Sequence, residues 1–185
     1  MDVFDAIYTR QSVGKVLPDP LPRELVERIL AAAAQAPNHY KVRPWRFVVV
    51  SGEARQALGA VLAYSLQKRL PDVAPNALQA EAAKTLRAPV IIAVGVDPPA
   101  DPRVIELENI CAAAAAVQNL LLAAHALGLG AKWRSGAAAF DPDVKKFLGF
   151  APEQHLIALI YIGYPAGERL PLVRPSYADR TVWMG

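Results

Sequence analysis

The sequence predicts a three-layer helix–sheet–helix domain, α+β or α/β in class. Three observations lead there. Two runs, "PVIIAVGV" (Pro89 to Val96) and "HLIALIYIGYP" (His155 to Pro165), are apolar along nearly their whole length, as strands covered on both faces are. Segments with helical periodicity surround them. An Ala/Leu-rich helix, Glu106 to Leu127, separates them. At 185 residues the chain is long enough for one sizeable core, so 1–185 is read as a single domain.

Taken in order, "DVFDAIYTR" places Val3, Phe4, Ile7 and Tyr8 at helical spacing, a short amphipathic helix. Pro22 can open a second helix in its first turn, with Leu25, Val26, Ile29, Leu30 and Ala33 as its apolar face and Pro37 as its stop. "WRFVVVS" reads as a strand. Residues 53 to 87 read as two helical pieces broken at "LPDVAP", a stretch where a mobile flap could form. After the strand Pro89 to Val96 and a loop comes the long helix, closed by Gly128 as its C-terminal cap. "AKWRSG" is short and extended. "DPDVKKFLG" is a short helix with Asp141 as cap and Pro142 at its first position. About three or four strands result. The Pro-rich tail, 166 to 185, lacks periodicity and must lie against something else.

Composition excludes several classes. A formal charge of +3, with 20 basic and 17 acidic residues spread along the chain, leaves no nucleic-acid footprint. The hydrophobic fraction of 54 % is high, and a subunit interface could take what the core does not. One cysteine, Cys111, allows no internal disulfide and fits a reducing compartment; within "NICAAAAAV" it reads as an inert, buried thiol. The N-terminus lacks a basic region followed by an apolar stretch. Gln118, Asn119 and His125 interrupt the one run long enough to span a bilayer. The expectation is a cytoplasmic protein without membrane or nucleic-acid partners.

No phosphate-cradling GxxxxGK[ST] and no GxSxG elbow occurs, and "GLGAKW" follows a helix where a dinucleotide fold needs a strand. His39, His125 and His155 show no ligand spacing, so no metal site is expected. Three polar islands remain. "TRQS" (Thr9 to Ser12) offers a guanidinium and a hydroxyl at a helix end, both good phosphate donors. "APNHYKVRPWRFVVV" (Ala36 to Val50) gathers His39, Lys41, Arg43 and Arg46 on a loop stiffened by Pro37 and Pro44, with Trp45 as a core aromatic. "KWRSG" (Lys132 to Gly136) brings Arg134 out of an apolar run, where it needs an anionic or carbonyl partner. Together they suggest one large polar ligand carrying a phosphate.

The order "TRQS", "APNHYKVRPWRF" and "GLGAKWRSG" resembles the nitroreductase family of FMN flavoproteins, its small bacterial NAD(P)H nitroreductases above all, over essentially the whole chain. The resemblance implies a three-layer α/β/α sandwich with a mixed central sheet and an exchanged C-terminal tail. It implies an intertwined homodimer with FMN at each subunit interface. Arg10, Gln11 and Ser12 would hold the FMN phosphate and ribityl end. Gln35 and His39 would reach the flavin from the partner subunit, and Trp133, Arg134 and Ser135 would line it. Ala123, Ala124, His125, Ala126, Leu127 and Gly128 would lie near the nicotinamide nucleotide. The family often carries a basic residue two positions after the serine of its first motif; here that place is Gly14. Either Arg174 or Arg180 could supply a C-terminal phosphate contact. The implied activity is two-electron transfer from NADH or NADPH to a nitroaromatic, quinone or similar small-molecule acceptor, alternating in ping-pong fashion. The flavin carries the chemistry, so no catalytic side chain is expected. A fixed cation beside the flavin, such as His39 and its basic loop provide, favours its reduction. Alternatives are another flavin reaction on the same fold, reductive dehalogenation or flavin breakdown, and a flavin-binding or storage module.

Overall fold

A computed structural model describes residues 1–167 and 173–185; part of the expected tail, 168–172, lies outside the described residues. Its helices are α1 (Val3–Thr9), α2 (Arg23–Ala33), α3 (Ala54–Arg69), α4 (Pro75–Ala82), α5 (Glu106–Ala126) and α6 (Pro142–Phe147). Its strands are β1 (Trp45–Ser51), β2 (Val90–Val96), β3 (Gly130–Arg134) and β4 (His155–Gly163), joined in one sheet in the order β1-β2-β4-β3.

Each pairing is antiparallel, Val49 opposite Ile92, Ile91 opposite Tyr161 and Ala131 opposite Ile162. The sheet expected to be mixed is therefore antiparallel throughout the described residues. Runs apolar on both faces suggest parallel strands, but here the cause is helices on both faces. On one face α2 and α5 pack Ile29, Ala33, Ala113, Val117 and Leu120 onto Ile92, Val94, Ile160 and Ile162. On the other, α3 and α6 pack Leu58, Leu62, Val144 and Leu148 onto Ile91, Ala93, Leu159 and Tyr161. The alternation of β2 residues between the two clusters is the period-2 geometry of a strand.

Local sequence accounts for the element ends. The Asp2 carboxylate accepts from the Asp5 N–H (2.9 Å) and starts α1. Asp141 does the same for α6, accepting from the Asp143 N–H at 2.8 Å. Gly128, at φ 78°, ends α5; its N–H donates to the His125 carbonyl while the Leu129 N–H reaches back to the Ala124 carbonyl, a Schellman closure. A register shift between Val94 and Gly95 bulges β4 at Ile157, whose carbonyl accepts the Trp133 indole N–H at 3.1 Å.

Two expectations change. The stretch read as a possible flap is packed on α3, where the Ala82 carbonyl approaches Gly59 so closely that a Cβ there would stand 2.3 Å from it. Cys111 is exposed, not buried. Because α5 is apolar all round, its periodicity could not tell which face meets the sheet. Length and hydropathy would let α5 cross a membrane, yet Ala113, Ala116, Val117 and Leu120 are fully buried in the core.

Candidate functional site

The end of α1 and the strand β3 meet through the backbone. The helix stops at Arg10, which turns extended (φ −60°, ψ 130°) while its N–H still bonds the Ala6 carbonyl. Past Ser12 the chain lies along β3, and the Val13 N–H donates to the Ala131 carbonyl at 3.0 Å. Gly130 permits that approach: a Cβ on it would come within 2.7 Å of Val13. The first and third polar islands thus meet at this junction. Ser12, Trp133 and Ser135 are exposed, and Arg10, Gln11 and Arg134 half-buried.

Its electrostatics are cationic. The Arg174 Nη2 donates to the Arg10 backbone carbonyl at 2.6 Å, so two guanidinium groups stand together. Burial, and then the neighbouring Arg174 charge, push the Arg10 guanidinium below its ordinary pKa. Arg180 bonds Asp179 at 3.1 Å instead, so of the two tail arginines it is Arg174 that reaches Arg10. On β3, Arg134 sits over the Tyr161 ring, 5.2 Å from its centroid. Burial raises the Tyr161 hydroxyl pKa, against the lowering influence of Arg134. The Nζ of Lys132 lies 3.7 Å from where a Cβ on Gly14 would be. Sequence reasoning passed over Lys132, although the alternation of β3 places it on the same face as Arg134.

Gln35 and His39 are elsewhere. Gln35 donates to the Ala31 carbonyl of its own helix at 3.3 Å. His39 Nδ1 is 3.3 Å from Glu108 Oε1, in the first turn of α5. Its loop is held in left-handed backbone at Tyr40, Lys41 and Arg43 (φ 48°, 56° and 49°), a conformation that costs each of them about 1–2 kcal/mol. The Asn38 side chain accepts from the Arg43 N–H at 2.9 Å, and Arg103 covers Tyr40. Arg46 is paired with Asp97, so it belongs to the scaffold. Trp45 is buried in the core, as expected.

The distance between these groups follows from α5. At its far end buried His125 bonds Thr9 (Nε2 to Oγ1, 2.7 Å), one residue before Arg10. Seventeen residues separate Glu108 from His125, roughly 25 Å of helix at 1.5 Å per residue. Arg10 and His39 of one chain therefore stand at opposite ends of α5. In the stretch 123–128, Ala124 and His125 are buried, Ala123 and Leu127 half-buried, and Ala126 and Gly128 exposed. His125 joins α5 to α1. Among the described residues no group of three or more His, Cys, Asp or Glu side chains could hold a metal.

Comparison with known proteins matches this geometry to a family. The "Nitroreductase family" sequence model matches residues 7–164. The chain is 33 % identical over 171 residues to the Escherichia coli K12 protein named "Putative NAD(P)H nitroreductase YdjA", covering 89 % of each chain. A Desulfovibrio desulfuricans structure, described as a "putative nitroreductase in complex with fmn", superposes with a TM-score of 0.78 at 28 % identity, covering 100 % of this chain and 98 % of that one. A nitroreductase-like protein from Bacillus cereus shares the fold, with a TM-score of 0.85 at 24 % identity over 100 % and 96 % of the two chains. By sequence and by fold, this chain belongs to the nitroreductase family.

Proposed function

We propose that the chain is an FMN-dependent oxidoreductase that takes two electrons from NADH or NADPH and passes them, in ping-pong order, to a nitroaromatic, quinone or similar small acceptor. The observation that carries the reading is the Arg10–Arg174 pair beside the exposed Trp133–Ser135 edge of β3. Two adjacent guanidinium groups repel unless an anion lies between them, and a phosphate dianion fits that need. Arg174 spends one donor on the Arg10 carbonyl, which leaves the rest of its fork for the phosphate.

The residues fit FMN. Arg10, Ser12 and Arg174 would hold the phosphate, with Gln11 beside them, and Trp133, Arg134 and Ser135 would line the ring. When bound, FMN supplies the two-electron chemistry. The chain's own part is to bind and orient it and to keep cations beside it. No described side chain is needed as an acid or base.

A homodimer follows in this reading from the split site. His39 stands at the other end of α5 from Arg10, so the partner's copies of Gln35 and His39 would complete each site. Val3, Phe4, Ile7 and Tyr8 of α1 point outward, with Phe4 63 % exposed. Exposed Leu107 and Cys111 of α5 and the exposed tail from 173 to 185 add to that surface, an apolar area of the kind that obligate dimers cover. Residues 1–185 act as one domain, and the nicotinamide nucleotide would approach Ala126 and Gly128. A single thiol and a core-packed α5 fit a cytoplasmic protein.

The test is an absorbance spectrum of the purified protein, before and after anaerobic NADH and NADPH. A yellow protein bleached by either donor supports the reading and identifies the donor. Flavin that neither donor bleaches would mark a binding module, and a protein that ignores added FMN would refute the reading.

A further inference from the structure

His125 touches none of the groups assigned to FMN, yet it bonds the residue next to Arg10. It lies in the last turn of α5 and is 4 % exposed, with Leu121 and Ala124 of the same helix buried in the core. Its Nε2 is 2.7 Å from the Thr9 hydroxyl. That hydroxyl donates its one hydrogen to the Asp5 carbonyl at 2.6 Å. Its oxygen therefore accepts, and the imidazole carries a proton on Nε2. The bond matters because α1 has little else to hold it within the chain. Seven residues are too few for a helix to persist by itself. Ala6 is the one residue of the seven that is buried.

Arg10 follows Thr9 directly, and three further hydrogen bonds continue the hold. The Arg10 N–H donates to the Ala6 carbonyl at 3.1 Å, Arg174 Nη2 to the Arg10 carbonyl at 2.6 Å, and the Val13 N–H to the Ala131 carbonyl at 3.0 Å. The Thr9–His125 bond ties this segment to the long core helix. We infer that His125 is a positioning residue for the flavin phosphate: by holding Thr9 it sets where the Arg10 guanidinium stands, without touching the ligand itself. This rests on the FMN reading above. It also gives His125 a role at the phosphate, and not beside the nicotinamide nucleotide as the family resemblance implied.

Two variants break the bond from opposite sides. His125→Leu removes the donor, and Thr9→Val removes the acceptor at an exposed position, where the fold should be retained. His125→Gln, which keeps an N–H donor, is the conservative control. The readouts are the dissociation constants of FMN and of riboflavin, from flavin fluorescence quenching on the apoprotein, and the melting temperature without flavin. Riboflavin lacks the phosphate, so it reports every contact except the one at issue. FMN should bind about tenfold more weakly in His125→Leu and in Thr9→Val, equivalent to about one net hydrogen bond. His125→Gln should recover most of that affinity. Riboflavin should bind within about twofold of wild type throughout, and the double variant should lose no more than either single one, since both act through one bond. Unchanged FMN binding in Thr9→Val overturns the inference while leaving the FMN reading intact. So do equal losses for FMN and riboflavin, which would make His125 a support of the fold alone. A wild-type protein that holds riboflavin as tightly as FMN takes the phosphate off Arg10 and overturns the inference with it. A wild-type protein that takes up no FMN overturns both the inference and the FMN reading.

Discussion

Arg174→Ala separates a ligand-binding arginine from an ordinary surface one. In the free protein Arg174 is exposed, and it donates one bond to the Arg10 carbonyl while pressing its charge on a half-buried Arg10. These effects oppose each other, so the variant without FMN should melt within about 2 °C of wild type, as exposed substitutions do. With FMN the balance changes. A charge-assisted hydrogen bond to phosphate contributes about 2 kcal/mol, so the dissociation constant should rise roughly 30-fold. At FMN one hundred times the wild-type dissociation constant, binding adds about 2.7 kcal/mol to wild type. The variant, at about three times its own constant, gains only about 0.8 kcal/mol. For a chain of this length each kcal/mol is worth about 2–4 °C. Differential scanning fluorimetry should therefore show an FMN-induced rise of about 5–10 °C for wild type and about 2–3 °C for Arg174→Ala. Arg180→Ala should keep the full rise, because Arg180 bonds Asp179 and not Arg10. A full FMN response in Arg174→Ala, or a lost one in Arg180→Ala, would refute the assignment.

Three further outcomes rest on other parts of the fold. In Gly59→Ala the new Cβ would stand 2.3 Å from the Ala82 carbonyl and 2.7 Å from Thr85 Oγ1; overpacking of this kind costs about 1–3 kcal/mol, and a melting temperature equal to wild type would contradict the contact. Asp141 is buried, which opposes its ionisation, but the Ser65 hydroxyl at 2.5 Å, the Asp143 N–H and the Lys68 charge outweigh that and hold its carboxyl below the ordinary range. A lowered folded pKa means stability that is present above the unfolded value near 3.9 and lost as pH falls through the folded one. Asp141→Ala should thus lose about 2–3 kcal/mol at pH 7, from the α6 cap and a stranded Ser65, and urea melts should show the gap narrowing below about pH 4; a pH-independent gap sinks the argument. Phe4→Glu places a charge on the exposed face of α1, so it should give a folded monomer by sedimentation that has lost most of its FMN, and a dimer that keeps its flavin would remove α1 from the interface.

The fold was legible where residues have one environment available to them. Pro89 to Val96 could only be a strand covered on both faces, and β2 is buried throughout. Asp141 before Pro142 could cap only a helix starting there, and Gly128 could end only one. Strand direction was not legible, because burial on both faces reports helices above and below the sheet and says nothing of how a neighbouring strand runs. The facing of α5 was hidden for a related reason: a helix apolar on every side carries no phase, which is how exposed Cys111 came to be read as buried.

The site divides along the same line. Arg10, Gln11, Ser12, Trp133, Arg134 and Ser135 were visible because cations and hydroxyls beside apolar elements need a partner, and the Val13–Ala131 hydrogen bond joins the two segments that carry them. Arg174 was visible only as one of two tail arginines, since the choice between them rests on its contact with Arg10, 164 positions away. Read along the chain, Gly14 looks like a lost cation. In the fold, β3 brings the Lys132 Nζ to 3.7 Å from where a Cβ on Gly14 would stand, an ordinary contact that needs no glycine. Only a pairing across 118 positions puts that amine beside position 14, and for that reason reading along the chain did not find it.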